Sequence, residues 1–403
     1  MGRLPESAYA ELNARLEPVD AELRRRYPGE RGDRQPVHTV YVPADRFHAG
    51  LVDEWGAAAL AALRDHPPLP YPEELHERVV AKLRREPIED LRIDFEDGYG
   101  VRDDATEDAA ARAVAAVLRA GVPVPFVGLR IKSLAESSRR RAVRTLEEFL
   151  DGLCAAAGDS LSAGPGGPAL PGNFVITLPK VSVPAQVEAM AVLCARLETA
   201  YRLPAGGLRF EVQVETPAAV LGPDGLATPG RLIDAAQGRC VGLHYGTYDY
   251  SAACGIAAAQ QSLAHPVADF AKAVMQVAAA ETGVRLSDGS TNVLPVGDTA
   301  AVHAGWALHG ALVRRSLERG FYQGWDLHPA QLPTRFAATY AFFREGRAAA
   351  VSRLRAYLER RSTGILDEPA TARALAGFLL RGLDCGALTG AEAGFTRADL
   401  LAL

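Results

Sequence analysis

The sequence predicts an α/β protein centred on a closed (β/α)8 TIM barrel, with a helical extension before it and a helical tail after it. Three observations predict this. Eight short strand-like runs lie along the chain. Ala- and Leu-rich stretches with helical spacing separate most of them. Charged residues collect at the C-terminal end of successive runs, the end that lines the working face of a parallel barrel.

The runs are VHTVYVP (37–43), LRIDFED (91–97), PFVGLRIK (125–132), NFVITLPK (173–180), LRFEVQVE (208–215), CVGLHYGTYD (240–249), STNVLPV (290–296) and YQGWDLHP (322–329). Each is apolar or alternating and is bounded by turn residues. Between the second and third, ATEDAAARAVAAVLRAG (105–121) has helical period, with Thr106, Glu107 and Asp108 expected as its cap and acidic first turn. Between the fourth and fifth, PAQVEAMAVLCARLETAYR (184–202) opens on proline, which suits a first helical turn. These signals divide the chain into an N-terminal helical extension (1–36), a catalytic barrel (37–332) and a C-terminal helical segment (333–403). Two further helices are expected near 52–64 and 71–85. The Gly/Pro-rich stretch 158–172 reads as a flexible loop.

Composition narrows the function classes. The 403 residues are 48% hydrophobic and 23% charged, with a formal net charge of -5. The absence of a basic excess argues against nucleic acid as a partner. No apolar run approaches the roughly 20 residues that cross a bilayer, so no membrane partner is expected. The N-terminus is polar and lacks the look of a signal peptide. The five cysteines are scattered without CxxC spacing, which disfavours a disulfide framework or zinc site and makes the cytoplasm the expected compartment. GPGGP (164–168) lacks the Lys-Ser/Thr ending of a phosphate loop.

The strand ends carry the chemistry. The second run ends in Asp94, Glu96 and Asp97, the third carries Arg130 and Lys132, and the fourth ends in Lys180. The fifth ends in Glu215, the sixth in Asp249, and the eighth in Asp326 and His328 with Gln331 beyond. Taken singly, an acid at a strand end is usually a cap or an ion-pair partner. Together, acids and cations at one end of successive strands indicate a shared rim. Glu215 and Asp249 suit a hard divalent cation, Mg²⁺ or Mn²⁺, which takes oxygen ligands and leaves room for water and substrate. Arg130 offers a planar fork for a carboxylate. A cation beside an arginine suits a 2-oxo acid, whose enolate the pair would stabilise. Lys180 reads either as a substrate contact or as a counter-charge to the acids. His328 reads either as a substrate contact or as a cap of the last strand.

DFEDG, GLRIKS, LPKV, VETPAAVL, HYGTYDYSAACGI and WDLHPAQL, spread in this order over about residues 90–331, resemble the ordered blocks of the HpcH/HpaI aldolase and citrate lyase β-subunit superfamily. That group belongs to the phosphoenolpyruvate/pyruvate-binding barrels. The resemblance implies a Mg²⁺-dependent carbon–carbon lyase or aldolase, and a homo-oligomer. It places Glu215 and Asp249 at the metal-ligand positions, with DY where the superfamily usually has DL. It places Arg130 at the residue that binds substrate carboxylate and enolate oxygen. Glu96 and Asp97 fall on the acidic pair of the DLED block, candidates for proton transfer, and His328 and Gln331 on the HPxQ block. The VRVN block reads LRIKS here, which puts Lys132 where asparagine is usual. With the insertions and the long tail, this marks a divergent branch.

The leading reading is therefore a carbon–carbon lyase or aldolase that acts on a pyruvate-like 2-oxo acid, with an aldehyde as second substrate, through a metal-bound enolate. Arg130, Glu96 and Asp97 are its catalytic candidates. Arg130, Lys132, Lys180 and His328 are its substrate-binding candidates, and Glu215 and Asp249 its metal ligands. The alternative is a citryl- or malyl-CoA-like Claisen lyase or synthase acting on an acyl-CoA. A non-catalytic barrel that binds a small acid is the rival from another class.

Overall fold

The computed structural model describes residues 4–154, 170–359 and 368–403. Eight parallel strands form the centre: β1 (His38–Pro43), β2 (Asp90–Asp94), β3 (Phe126–Arg130), β4 (Phe174–Leu178), β5 (Arg209–Val214), β6 (Cys240–Tyr245), β7 (Arg285–Ser287) and β8 (Gly324–Asp326). They hydrogen-bond in the order β7-β6-β5-β4-β3-β2-β1-β8. A bridge between Ser287 and Gln323 brings β7 to β8, with Asp288 N donating to Gln323 O (2.8 Å) and Trp325 N to Gly289 O (3.2 Å). The (β/α)8 barrel is thereby closed, as the alternating pattern predicts.

Helices α1 (Glu6–Arg26), α2 (Leu51–Asp65) and α3 (Glu73–Arg85) lie in the segments before β1 and between β1 and β2. Helices α4 (Asp104–Ala120), α5 (Arg139–Cys154) and α6 (Pro184–Tyr201) follow β2, β3 and β4. The short α7 (Pro217–Val220) and α8 (Pro229–Ala235) follow β5, and α9 (Thr247–Ala253) and α10 (Pro266–Ala279) follow β6. Helix α11 (Thr299–Glu318) precedes β8; α12 (Leu332–Leu358), α13 (Pro369–Asp384), α14 (Gly390–Ala393) and α15 (Arg397–Leu401) make up the tail. Most of the expected loop at 158–172 lies outside the described residues. Among the described residues no helix is long and apolar enough to cross a membrane.

Strand alternation decides where the core sits. Outward-facing Val40, Leu91, Ile93, Leu129, Ile176 and Val212 are fully buried between strands and helices. The inward faces are polar instead. Inside the barrel Arg92 donates to Asp90 (2.7 and 3.0 Å), to Glu211 (3.0 and 2.8 Å) and to Thr177 (3.0 Å). His244 lies 3.0 Å from Glu211 and accepts from Trp325 Nε1. Gly128 makes room for this network: a Cβ there would stand 1.8 Å from Val175 O and 2.9 Å from Arg92 Nη1.

Four expectations are corrected. The seventh strand is Arg285–Ser287, not 290–296. Three residues are too few to show a period, and the more apolar run after them is a loop whose Val293 and Val296 are half exposed. The sixth strand stops at Tyr245, so Asp249 stands in the first turn of α9 and not on a strand. The cap of α4 is Asp103, which accepts from Thr106 N (2.9 Å). Asp326 does not face the rim: it points outward from β8 into a buried set with His38, His309 and Arg335 that ties the last strand to β1, α11 and α12.

Candidate active site at the strand ends

Asp94 answers why β2 ends in so much negative charge. Its carboxylate accepts from Glu96 N (2.8 Å) and Gly98 N (2.8 Å), which shapes the turn after the strand. The same carboxylate takes a bidentate pair from Arg130, Nε at 2.7 Å and Nη2 at 2.6 Å. Register aligns the two residues directly, Asp94 opposite Arg130. The remaining guanidinium nitrogen, Nη1, is 3.5 Å from Glu96 Oε2, and the whole group lies over the Tyr41 ring at 4.8 Å. Arg130 is thus oriented on three sides, with one nitrogen left facing the acids.

The other acids converge on Lys180. Its ammonium is 2.9 Å from Asp97, 2.9 Å from Asp249 and 3.7 Å from Glu96. Its backbone is left-handed (φ 54°), a conformation that side-chain-bearing residues rarely adopt and that collects at functional sites. That turn aims Lys180 N at Glu215 Oε1, 2.6 Å away. Gly246 makes space for Glu215: a Cβ there would stand 2.4 Å from the Glu215 Cβ.

Burial and crowding set the charges. Burial pushes the Glu96 carboxyl up to about 7; Asp97 and Glu215 add to the shift, while Arg130 and Lys180 oppose it. Burial likewise raises Glu215, against the pull of Lys180. At Asp97 burial is overcome by the Lys180 hydrogen bond and charge, and the carboxyl is lowered. Lys180 is raised despite burial, because Glu215, Asp97 and Asp249 all favour its charged form.

The structure therefore brings together Arg130, Glu96, Asp97, Lys180, Glu215 and Asp249. It does not bring in Lys132. That ammonium bonds Phe95 O (2.7 Å) and Glu107 (2.6 Å) of α4. A flexible lysine stem goes where a buried counter-charge waits, and Glu107 is fully buried. His328 caps the turn Pro329–Gln331, its Nδ1 accepting from Ala330 N (3.2 Å). Of its two sequence readings, the cap is the one that this bond satisfies. Gln331 accepts from Leu327 N (2.8 Å) and closes the same turn.

Two site residues escaped the sequence reading. Tyr41 has no signal in a run of valines. Gln213 shares the inward face of β5 with Glu211 and Glu215, and its buried amide finds no partner among the described residues. Alternation along EVQVE could have singled it out.

The donor chemistry suits a hard divalent cation, since carboxylates from the ends of β2 and β5 and from α9 converge on one positive position. The cation there now is the protein's own ammonium. Among the described residues no three acidic, histidine or cysteine side chains are already spaced to share one ion.

Residues 16–403 match the family described as a domain of unknown function, DUF6986. The chain belongs to the DUF6986 family. No curated protein matches it. Similar solved structures include a citrate lyase from Burkholderia xenovorans LB400, 20% identical over 90% of this chain and 96% of that one, with TM-score 0.58. They also include Haloferax volcanii malate synthase in its magnesium/glyoxylate complex, 14% identical over 87% and 90% of the two chains, with TM-score 0.52. At these identities the likeness establishes the barrel fold that this DUF6986 member shares with them.

Glu96 carries a pH prediction. Its folded pKa of about 7 lies above the ordinary value of 4.5, so folding favours the neutral carboxyl. That stability is whole below about pH 4.5 and is lost as pH rises through about 7. In chelator, wild type should lose stability relative to Glu96→Gln between about pH 5 and pH 8, by on the order of 1–3 kcal/mol. Urea unfolding at both pH values measures it. Parallel pH dependence in the two proteins would refute the assignment.

Proposed function

We propose that this DUF6986 member is a divalent-metal-dependent carbon–carbon lyase or aldolase that acts on a 2-oxo acid. The observation that carries the reading is the convergence of Glu96, Asp97 and Asp249 on one cationic position beside Glu215 and an oriented Arg130. Glu215 and Asp249 would hold Mg²⁺ or Mn²⁺, which when bound would supply Lewis-acid polarisation of the 2-oxo group. Arg130 Nη1, 3.5 Å from Glu96 Oε2 and outside the Asp94 pair, would donate to the substrate carboxylate and to negative charge that develops as the carbon–carbon bond breaks. Asp94 and Tyr41 hold the guanidinium in place before substrate arrives, so little reorganisation is needed. Glu96, pushed up to about 7 by burial, would take or return a proton, with Asp97 as its charged neighbour. Lys180, paired with Asp97 and Asp249, would offer its charge to substrate. The glyoxylate named for the malate synthase neighbour is itself a 2-oxo acid.

Melting with Mg²⁺ plus oxalate or pyruvate tests the reading. A ligand that binds only the folded state should raise the melting temperature with concentration, and the rise should need both components. Cleavage assays with 4-hydroxy-2-oxo acids should then show metal-dependent release of a 2-oxo acid. No shift with any divalent metal would overturn the metal assignment. The second reading is an acyl-CoA Claisen lyase or synthase, which the citrate lyase and malate synthase names of the structural neighbours favour. Turnover of an acyl-CoA but not of free 2-oxo acids would select it.

A further inference from the structure

The N-terminal end of the barrel, opposite the rim of acids, holds a second group of charges. Residues 29–33, just ahead of β1, lie along the chain that enters β7. Gly29 N donates to Glu281 O (2.8 Å), and Arg285 Nη2, from the first residue of β7, donates to Asp33 O (3.0 Å). Between these two ties Arg31 packs on Gly283, where a Cβ would stand 3.7 Å from the Arg31 Cγ and 3.9 Å from its Nε. The tail reaches the same segment. Arg381 of α13 pairs with Glu30 (2.6 Å), and Arg397 of α15 donates to Gly32 O and pairs with Asp384 (3.2 Å).

Negative charge is short here. The Glu30 and Asp33 side chains are 73 and 59% exposed, so water screens the pairs they make. Arg31 is half-buried and makes no ion pair or side-chain hydrogen bond among the described residues. Burial holds Arg285 below the usual arginine range; Asp33 opposes this, and the nearby charge of Arg31 adds to it. Two guanidinium groups that share one exposed carboxylate invite an anion from solution. The donors indicate its form. Each guanidinium is a planar fork that matches two oxygens of a phosphate, and forks from two elements suit a group with oxygens on every side and more than one charge. We propose that Arg31 and Arg285 form a binding site for a phosphate-bearing anion at the N-terminal end of the barrel. The anion supplies the charge that Asp33 alone does not, and fixes residues 29–33 against β7. The site is separate from the candidate active site and does not depend on how that site is read.

Melting and titration calorimetry of the full chain test it, with pyrophosphate as the probe, in chelator and at an ionic strength held constant with chloride. Wild type should melt higher as pyrophosphate rises. In Arg31→Gln the affinity for pyrophosphate should fall by at least about 10-fold. Because Arg31 makes no bond for glutamine to lose, this variant should melt at or above the wild-type temperature when pyrophosphate is absent. Lys180→Met, changed at the opposite end of the barrel, should keep the wild-type response. Malonate, a dicarboxylate, should bind wild type at least about 10-fold more weakly than pyrophosphate. No shift in wild type, an equal affinity in Arg31→Gln, or loss of the response in Lys180→Met would overturn the site. Malonate binding as tightly as pyrophosphate would overturn the assignment to phosphate.

Discussion

Glu215→Gln is expected to weaken Mg²⁺ binding by at least about 100-fold and to lower metal-dependent turnover by about 10²–10³-fold. The substitution isolates charge from shape. Glu215 Oε1 accepts from Lys180 N, and a glutamine carbonyl oxygen can accept the same bond, so the left-handed turn at Lys180 survives. What is lost is a buried negative charge beside the cation position. Asp249→Asn should act in the same direction through a different element, because Asp249 comes from α9 and reaches the same ammonium as Asp97. Isothermal titration with Mg²⁺ and a turnover assay measure the two effects separately. Full activity in either variant would remove its residue from the metal site, and unchanged Mg²⁺ affinity with lost turnover would move it to a proton-transfer or positioning role.

Arg92→Met is expected to cost about 3–5 kcal/mol of stability, the largest effect on folding we predict. Arg92 is the hub of the polar barrel interior, and it neutralises Asp90 and Glu211, all three of them buried. Burial raises Asp90, whereas Glu211 is held low because Arg92 and His244 outweigh its burial. Methionine fills much of the volume but leaves Asp90 and Glu211 without the guanidinium that pairs with both. Urea unfolding gives the loss. Adding Glu211→Gln to Arg92→Met should recover a substantial part of it, because the second change removes an unpaired buried charge. Strict additivity of the two losses would mean that the network is not the source of the effect.

Much of the fold was legible because strand alternation and helix period are local properties. DLRID and FVGLR announce strands by themselves, and the acidic, Ala-rich run after β2 announces α4. The seventh strand was misread because RLS is too short to carry a period, while the next run imitates one. The candidate site was legible to the extent that position on a strand fixes direction: Arg130, Glu215 and Glu96 face the rim as their place in each run requires. Asp249 reached the same rim by another route, the first turn of a helix, which sequence spacing did not distinguish from a longer strand.

Local pattern along the chain fixes the barrel, the end of it that carries the charge, and the acids and the arginine there. How those charges pair depends on contacts made by folding. Lys132 and Lys180 stand at similar places beyond neighbouring strands, yet one turns outward to Glu107 and the other inward to Asp97 and Asp249. Alternation fixes where a Cβ points, but a four-carbon stem can swing through either side of it. The final direction is set by which buried carboxylates lack a partner, and that depends on residues brought close by folding and distant along the chain.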